Sequence, residues 1–93
     1  MPRSTHHRHY RAFLDLLVQL RDEAGFTQTA LAEKIGNTQT FVSKVERGER
    51  RLDVVEFTEW CDALGFDAGS AFGKFLEGRD GRSRKLRRRR IRP

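Results

Sequence analysis

Residues 26–51 read FTQTALAEKIGNTQTFVSKVERGERR. Leu31, Ala32 and Ile35 share one face at helical spacing, with Thr27 placed to cap the segment and Gly36-Asn37 to end it. Thr38 then supplies a second cap, Val42 and Val45 follow at i and i+3, and Gly48 closes the unit. The stretch is therefore expected to form two short helices joined by a tight turn, the second held by its valines and turning Gln39, Thr40 and Lys44 outward.

The flanks extend the same period. Upstream, Phe13, Leu14, Leu17, Leu20 and Ala24 make one apolar face of a helix over about residues 10–24, and Gly25 stops it. Downstream, Asp53 and Glu56 have the spacing of a capping box. They open a helix that carries Phe57, Trp60, Cys61 and Leu64 on one side and ends at Gly65. A fifth helix, about residues 68–77, carries Phe72, Phe75 and Leu76. Gly69 and Gly73 weaken it by about 1 kcal/mol each relative to alanine, so it must lean on packing. No segment alternates over strand length. The expectation is an all-α, five-helix domain over residues 10–78, with a basic N-terminal arm (1–9) and an Arg-rich C-terminal tail (79–93) that is polar and self-repelling enough to be disordered in isolation.

Composition narrows the partners. With 37% hydrophobic and 34% charged residues among 93, the chain can build one modest core. The net charge of +6 hides a polarised layout. Residues 1–11 carry +3 and 79–93 carry +8, while 12–78 carry −5. Within that body, 34–51 is +3 and 53–67 is −5. One side of the domain suits a polyanion and the other repels it. No apolar run is long enough to span a bilayer. The N-terminus has no apolar h-region, so no secretory signal is expected. A single cysteine, Cys61, makes neither an internal disulfide nor a cysteine metal site, which suits a reducing cytoplasm.

Helix, tight turn, helix is the geometry of a DNA reader, because the major groove of B-DNA admits one α-helix while the preceding helix crosses the backbone. The residues carry a family likeness as well. Leu17, Leu20 and Arg21, then Gln28, Leu31-Ala32, Ile35-Gly36, Ser43, Val45-Glu46, Gly48 and Ala63-Leu64-Gly65 resemble the Cro/C1-type, or XRE, helix-turn-helix regulators over about residues 14–66. The resemblance implies the lambda-repressor-like fold and a set of DNA contacts. Gln39 and Thr40 would reach base edges, glutamine suiting adenine and a threonine methyl suiting thymine. Lys44 would reach a guanine or a flanking phosphate, and Ser43 a base or phosphate. Gln28 would bond a phosphate and also brace Gln39. Arg50 and Arg51 would lie on the backbone. Thr27 and Thr38 would act mainly as caps, with their hydroxyls near phosphates. The resemblance also implies a structural ion pair between Arg21 and Glu46. Phe41 stays open between contact with a thymine methyl and packing on the second helix.

The remaining residues have plainer readings. Cys61 shares a face with Phe57 and Leu64 and reads as core. His6, His7 and His9 have no cysteine or carboxylate beside them, so no metal is expected, and no cofactor. Asp53 and Glu56 serve a capping box better than an acid–base pair, and no catalytic constellation is present, so no enzyme is expected. Phe72, Phe75 and Leu76 either close the core or form a two-fold dimer contact, the latter being favoured. The expected function is a cytoplasmic, nucleoid-associated transcriptional regulator that acts as a repressor, a homodimer on a palindromic double-stranded operator. Two rivals stand beside it: an antitoxin-type module that binds a toxin and represses its own operon, and a non-specific nucleic-acid binder driven by the tail.

Overall fold

In the computed structural model, which describes residues 7–80, the chain forms α1 (Arg8–Ala24), α2 (Gln28–Ile35), α3 (Gln39–Glu46), α4 (Val54–Leu64) and α5 (Ala68–Asp80), with no strand among the described residues. The cap signals act as their chemistry dictates. Thr27 Oγ1 accepts from Ala30 N–H at 3.0 Å, and Thr38 Oγ1 from Phe41 N–H at 3.1 Å. Asp53 and Glu56 exchange bonds reciprocally, Glu56 N–H donating to Asp53 Oδ1 at 2.8 Å and Asp53 N–H to Glu56 Oε1 at 3.0 Å. Asp67 likewise accepts Ser70 N–H at 2.8 Å at the start of α5, and these bonds hold its carboxyl below the usual carboxylate range.

The turn between α2 and α3 shows what its two residues contribute. Gly36 sits at φ 73° and ψ 35°, in the left-handed region. Its N–H donates to Glu33 O at 3.2 Å and that of Asn37 to Ala32 O at 2.9 Å, the paired closure of a Schellman motif. Asn37 Oδ1 then accepts Thr38 N–H at 2.8 Å, so the turn feeds directly into the next cap. The reversal needs only these residues, which is why the two helices cross at close range and pack against each other.

Trp60, Leu17, Leu31, Val42, Val45 and Cys61 are fully buried at the centre. α2 packs on α3 and α4, and α1 lies across α3, α4 and α5. The apolar faces expected of α2 to α4 are the buried ones: Leu31 and Ala32, Val42 and Val45, and Phe57, Trp60, Cys61 and Leu64. Leu16 is buried as well, alongside Leu14, Leu17 and Leu20, so the inward stripe of α1 is broader than the sequence periodicity indicates. Phe13 joins three helices, its ring centroid 5.4 Å from Phe57 and 5.8 Å from Phe75. The two readings of the last aromatic group divide by residue. Phe75 packs half-buried against the core, whereas Phe72 is 46% exposed and rests against Phe75 at 5.5 Å; Leu76 is half-buried.

Both outer ends run longer than the sequence periodicity indicates. α1 begins at Arg8 rather than residue 10, because His7 Nδ1 accepts His9 N–H at 3.0 Å and serves as the cap. α5 continues to Asp80 rather than 77, since glycine weakens a helix without ending it. Of the expected arm (1–9) and tail (79–93), residues 1–6 and 81–93 lie outside the described residues, while 8–9 belong to α1 and 79–80 to α5.

Glycine substitutions separate backbone strain from space. A Cβ at Gly36 or at Gly73 would meet no atom within 4 Å. Gly36→Ala should therefore destabilise by about 1–2 kcal/mol through its left-handed backbone alone. Gly73→Ala, inside α5, should stabilise by about 0.5–1 kcal/mol. Urea unfolding of the two variants checks the opposite signs. A second expectation concerns Cys61, whose burial pushes its thiol pKa up to about 11. An aromatic disulfide reagent at neutral pH should modify it only at the rate of global opening; fast labelling of the folded chain would contradict this placement.

Candidate nucleic-acid interface

α3 presents two unlike sides. Val42 and Val45 are fully buried, while Gln39, Thr40 and Lys44 are exposed on the outward face. The helix is thus anchored through its valines and free along the residues expected to meet a base edge. Ser43 is half-buried, and its hydroxyl accepts a hydrogen bond from Arg47 Nη1. Phe41 is half-buried and packs against the core, and the Arg50 guanidinium lies over its ring with Cζ 4.9 Å from the centroid.

A connected set of polar side chains stands behind α3. Arg21 of α1 grips Glu46 at the end of α3 with two bonds, Nε to Oε2 at 2.7 Å and Nη2 to Oε1 at 3.0 Å. The third nitrogen, Nη1, donates to Phe26 O at 2.9 Å, in the connection between α1 and α2. The side chains of Arg21 and Glu46 are 14% and 6% exposed. Hydrogen bonding to Glu46 raises the Arg21 pKa above its already high ordinary value, so the guanidinium is charged at every relevant pH. Glu46 Oε1 also accepts Gln28 Nε2 at 2.8 Å, and Gln28 Oε1 accepts Gln39 Nε2 at 2.7 Å. The fold therefore brings Gln28, at the first turn of α2, against Gln39, at the first turn of α3. The ion pair implied by the family resemblance is present. The sequence reading did not connect it to Gln28 and through Gln28 to Gln39.

The loop after α3 holds its arginines on the protein itself. Arg50 makes a two-pronged pair with Glu56, Nη1 to Oε1 at 2.7 Å and Nη2 to Oε2 at 2.9 Å. That pair holds the Glu56 carboxyl below the usual carboxylate range, aided by the backbone bond from Asp53. Arg51 lies over the Tyr10 ring with Cζ 4.6 Å from the centroid, while Tyr10 Oη accepts Leu52 N–H at 3.2 Å. Arg47 pairs with Glu49 through Nε at 3.0 Å, and this contact lowers the Glu49 pKa. Arg47 lies one turn beyond Lys44 on the basic side of the chain, and the sequence reading assigned it no contact. Lys44 makes no ion pair among the described residues. Thr27 and Thr38 are exposed at the N-termini of α2 and α3, their hydroxyls engaged as caps.

Among the described residues no group of three His, Cys, Asp or Glu side chains is placed to hold a metal ion, and no helix is long and apolar enough to cross a membrane.

Known proteins place this architecture. The family model described as helix-turn-helix matches residues 17–69, which takes in α2, α3, α4 and their connections. The chain is similar to a solved structure, an XRE-family like protein from Pseudomonas syringae pv. tomato str. DC3000, at 44% sequence identity and a TM-score of 0.74, over 81% of this chain and 92% of that one. Comparison with curated proteins gives no match. With the buried-valine, exposed-glutamine helix set behind a glycine turn, these matches assign the chain to the XRE family of helix-turn-helix DNA-binding transcription regulators.

Proposed function

We propose that the protein is a sequence-specific repressor that binds a palindromic double-stranded operator as a homodimer, in the cytoplasm and on the nucleoid. The observation that carries this reading is the asymmetry of α3: two fully buried valines fix a helix whose Gln39, Thr40 and Lys44 are exposed together. Inserted in the major groove, Gln39 and Thr40 reach base edges, and Lys44 and Ser43 reach a base or a flanking phosphate. Thr27, Gln28 and Thr38 stand at helix N-termini, where backbone N–H groups and the helix dipole favour a phosphate. Arg50 and Arg51 lie further along the backbone, Arg50 sharing its guanidinium between Glu56 and a phosphate. The acidic stretch 53–67 repels DNA and helps to orient the approach. The proposed activity is binding, with no catalytic step.

Homodimerisation follows from the target. A two-fold operator is read by two copies one helical turn apart, and an isologous contact needs a self-complementary patch. Phe72 supports this role, being one of three large apolar side chains exposed among the described residues, with Val54 and Val55, and it lines a groove of about 340 Å³ together with Tyr10, Phe13, Arg51 and Phe75 among others. Phe75, whose ring packs against that of Phe72, and the half-buried Leu76 would complete the patch.

Binding and sedimentation measurements test the reading. Gln39→Ala should weaken operator binding by roughly 1–3 kcal/mol and relax preference at one base position. Removal of residues 81–93 should weaken binding to all sequences nearly alike and flatten the salt dependence, by about 0.9 in log–log slope per lost phosphate contact. Site selection from a random duplex library, with and without the tail, separates the two effects; a reader driven by its tail alone would show the opposite pattern. Phe72→Asp should shift sedimentation from dimer to monomer with little change in folding. Unchanged sedimentation would remove the α5 face from the dimer, and retention of a heterologous protein by that face in place of self-association would favour the antitoxin reading.

A further inference from the structure

The groove between the start of α1 and α5 is aromatic within and basic at its edge. Four rings run along it in an unbroken series: Tyr10 to Phe13 at 5.6 Å between centroids, Phe13 to Phe75 at 5.8 Å, and Phe75 to Phe72 at 5.5 Å. Phe13 and Phe75 are half-buried, whereas Arg51 and His7, which also line the groove, are exposed. His9 completes the lining, and no acidic residue belongs to it. The volume of about 340 Å³ falls at the lower end of the range that holds small molecules, about 300–1,000 Å³. His7 Nδ1 accepts His9 N–H at 3.0 Å, so the neutral imidazole carries its proton on Nε2, as a donor. No acidic residue stands in the first turn of α1, which leaves the positive end of the helix dipole on this side.

We propose that this groove binds a small aryl carboxylate, its ring held among the four aromatic side chains and its carboxylate by Arg51 and His7, and that the ligand releases the protein from DNA. The ligand class follows from the lining. Aromatic side chains at offset or edge-to-face spacing accept a further ring in the same geometry. A guanidinium matches a carboxylate with two parallel bonds, and that of Arg51 is already held at the groove by the Tyr10 ring, its Cζ 4.6 Å from the centroid. A cationic ligand would face Arg51 and the helix end with no acid in the lining to meet it. The effect on DNA rests on the reading of Phe72 as a dimer contact and of Arg51 as a phosphate contact. An occupant covers the first and engages the second, so ligand and operator exclude one another. The inducer site is then built into the DNA-binding domain itself.

The experiment titrates the isotope-labelled full chain with cinnamate, cinnamamide, cinnamylamine and acetate at constant ionic strength, following backbone amide chemical shifts. Cinnamate should bind about 10-fold or more tightly than the uncharged amide, the worth of a charge-assisted pair. Its shifts should centre on Tyr10, Phe13, Phe72 and Phe75, and the amine and acetate should bind more weakly than cinnamate. Arg51→Gln should bring cinnamate and cinnamamide to within about 3-fold of each other without weakening the amide, which a loss of folding would not do. Phe72→Ser should weaken both by about 5-fold or more. Equal binding of cinnamate and cinnamamide to the native chain, or shifts centred away from the groove, overturns the site. Shifts at the same residues that follow protein concentration and ignore cinnamate give the groove to a second copy and overturn the ligand. Saturating cinnamate should also weaken binding to a selected operator several-fold and move sedimentation toward the monomer, while acetate does neither. Cinnamate seated in the groove of a chain that keeps its operator affinity overturns the inducer role. A chain that selects no sequence from a random library overturns the repressor reading instead, and the titration still decides the site.

Discussion

Arg21 and Glu46 form a largely buried ion pair at which four parts of the chain converge. The guanidinium leaves α1, two of its nitrogens close on the end of α3, and the third takes the carbonyl of Phe26 between α1 and α2. Gln28 of α2 completes the set on the same carboxylate. Such a pair adds little net stability compared with well-packed apolar residues, because both charges must leave water. Removing one partner is another matter, costing about 3–5 kcal/mol by stranding the other charge. What the pair supplies is geometry. A two-pronged guanidinium–carboxylate contact fixes distance and plane together. α3 is thereby held by direction as well as by the non-directional packing of Val42 and Val45.

The interior and the polar side chains divide the task between them. Leu17, Leu31, Val42, Val45 and Trp60 exclude water and bring α1 to α4 together, but an apolar contact has little preference for rotation about a helix axis. The turn at Gly36 and Asn37 limits how α3 can leave α2. The bonds from Arg21 to Glu46 and on to Gln28 and Gln39 then fix the remaining freedom. A base reader has to be placed within about 0.5 Å of its productive geometry, which calls for supporting side chains that are themselves held.

Features that depend on near neighbours were readable in the sequence. Thr27, Thr38 and the Asp53–Glu56 box act over three residues, and the Gly25, Gly36, Gly48 and Gly65 turns all lie at positive φ, as their places at helix ends implied. The extended ends of α1 and α5 were missed for equally local reasons. Histidine is outside the usual set of N-caps, and three glycines mask a helix that runs through them. Membership of the family was legible because its matching residues mix caps, core and turn. The polar linkages were less so. Gln28 and Gln39 stand eleven residues apart, and their contact depends on how two helices cross; the family likeness pointed to the brace, but not to its origin at Glu46. Whether Arg50 would choose Glu56, a phosphate or the ring of Phe41 depends on competition among partners that no periodicity encodes.

That competition bears on how the loop works. Arg47, Arg50 and Arg51 are each held by the protein, on Glu49, Glu56 and the Tyr10 ring. A free arginine gives up about 2 kcal/mol of rotamer entropy when it is fixed, and an arginine already placed gives up less for each further bond. Each acidic partner also offsets some of the attraction to a phosphate. In the proposed complex such a loop would favour register over bulk attraction. Lys44 makes no ion pair among the described residues, though its charge helps that of Arg47 to lower the Glu49 pKa. In the proposed complex, long-range attraction would fall to the basic residues near the two ends of the chain, where 79–93 alone carries +8. Attraction that ignores sequence acts at distance, and the directed bonds act on contact. In the proposed complex a tail would therefore raise affinity for all sequences alike without altering the choice of base.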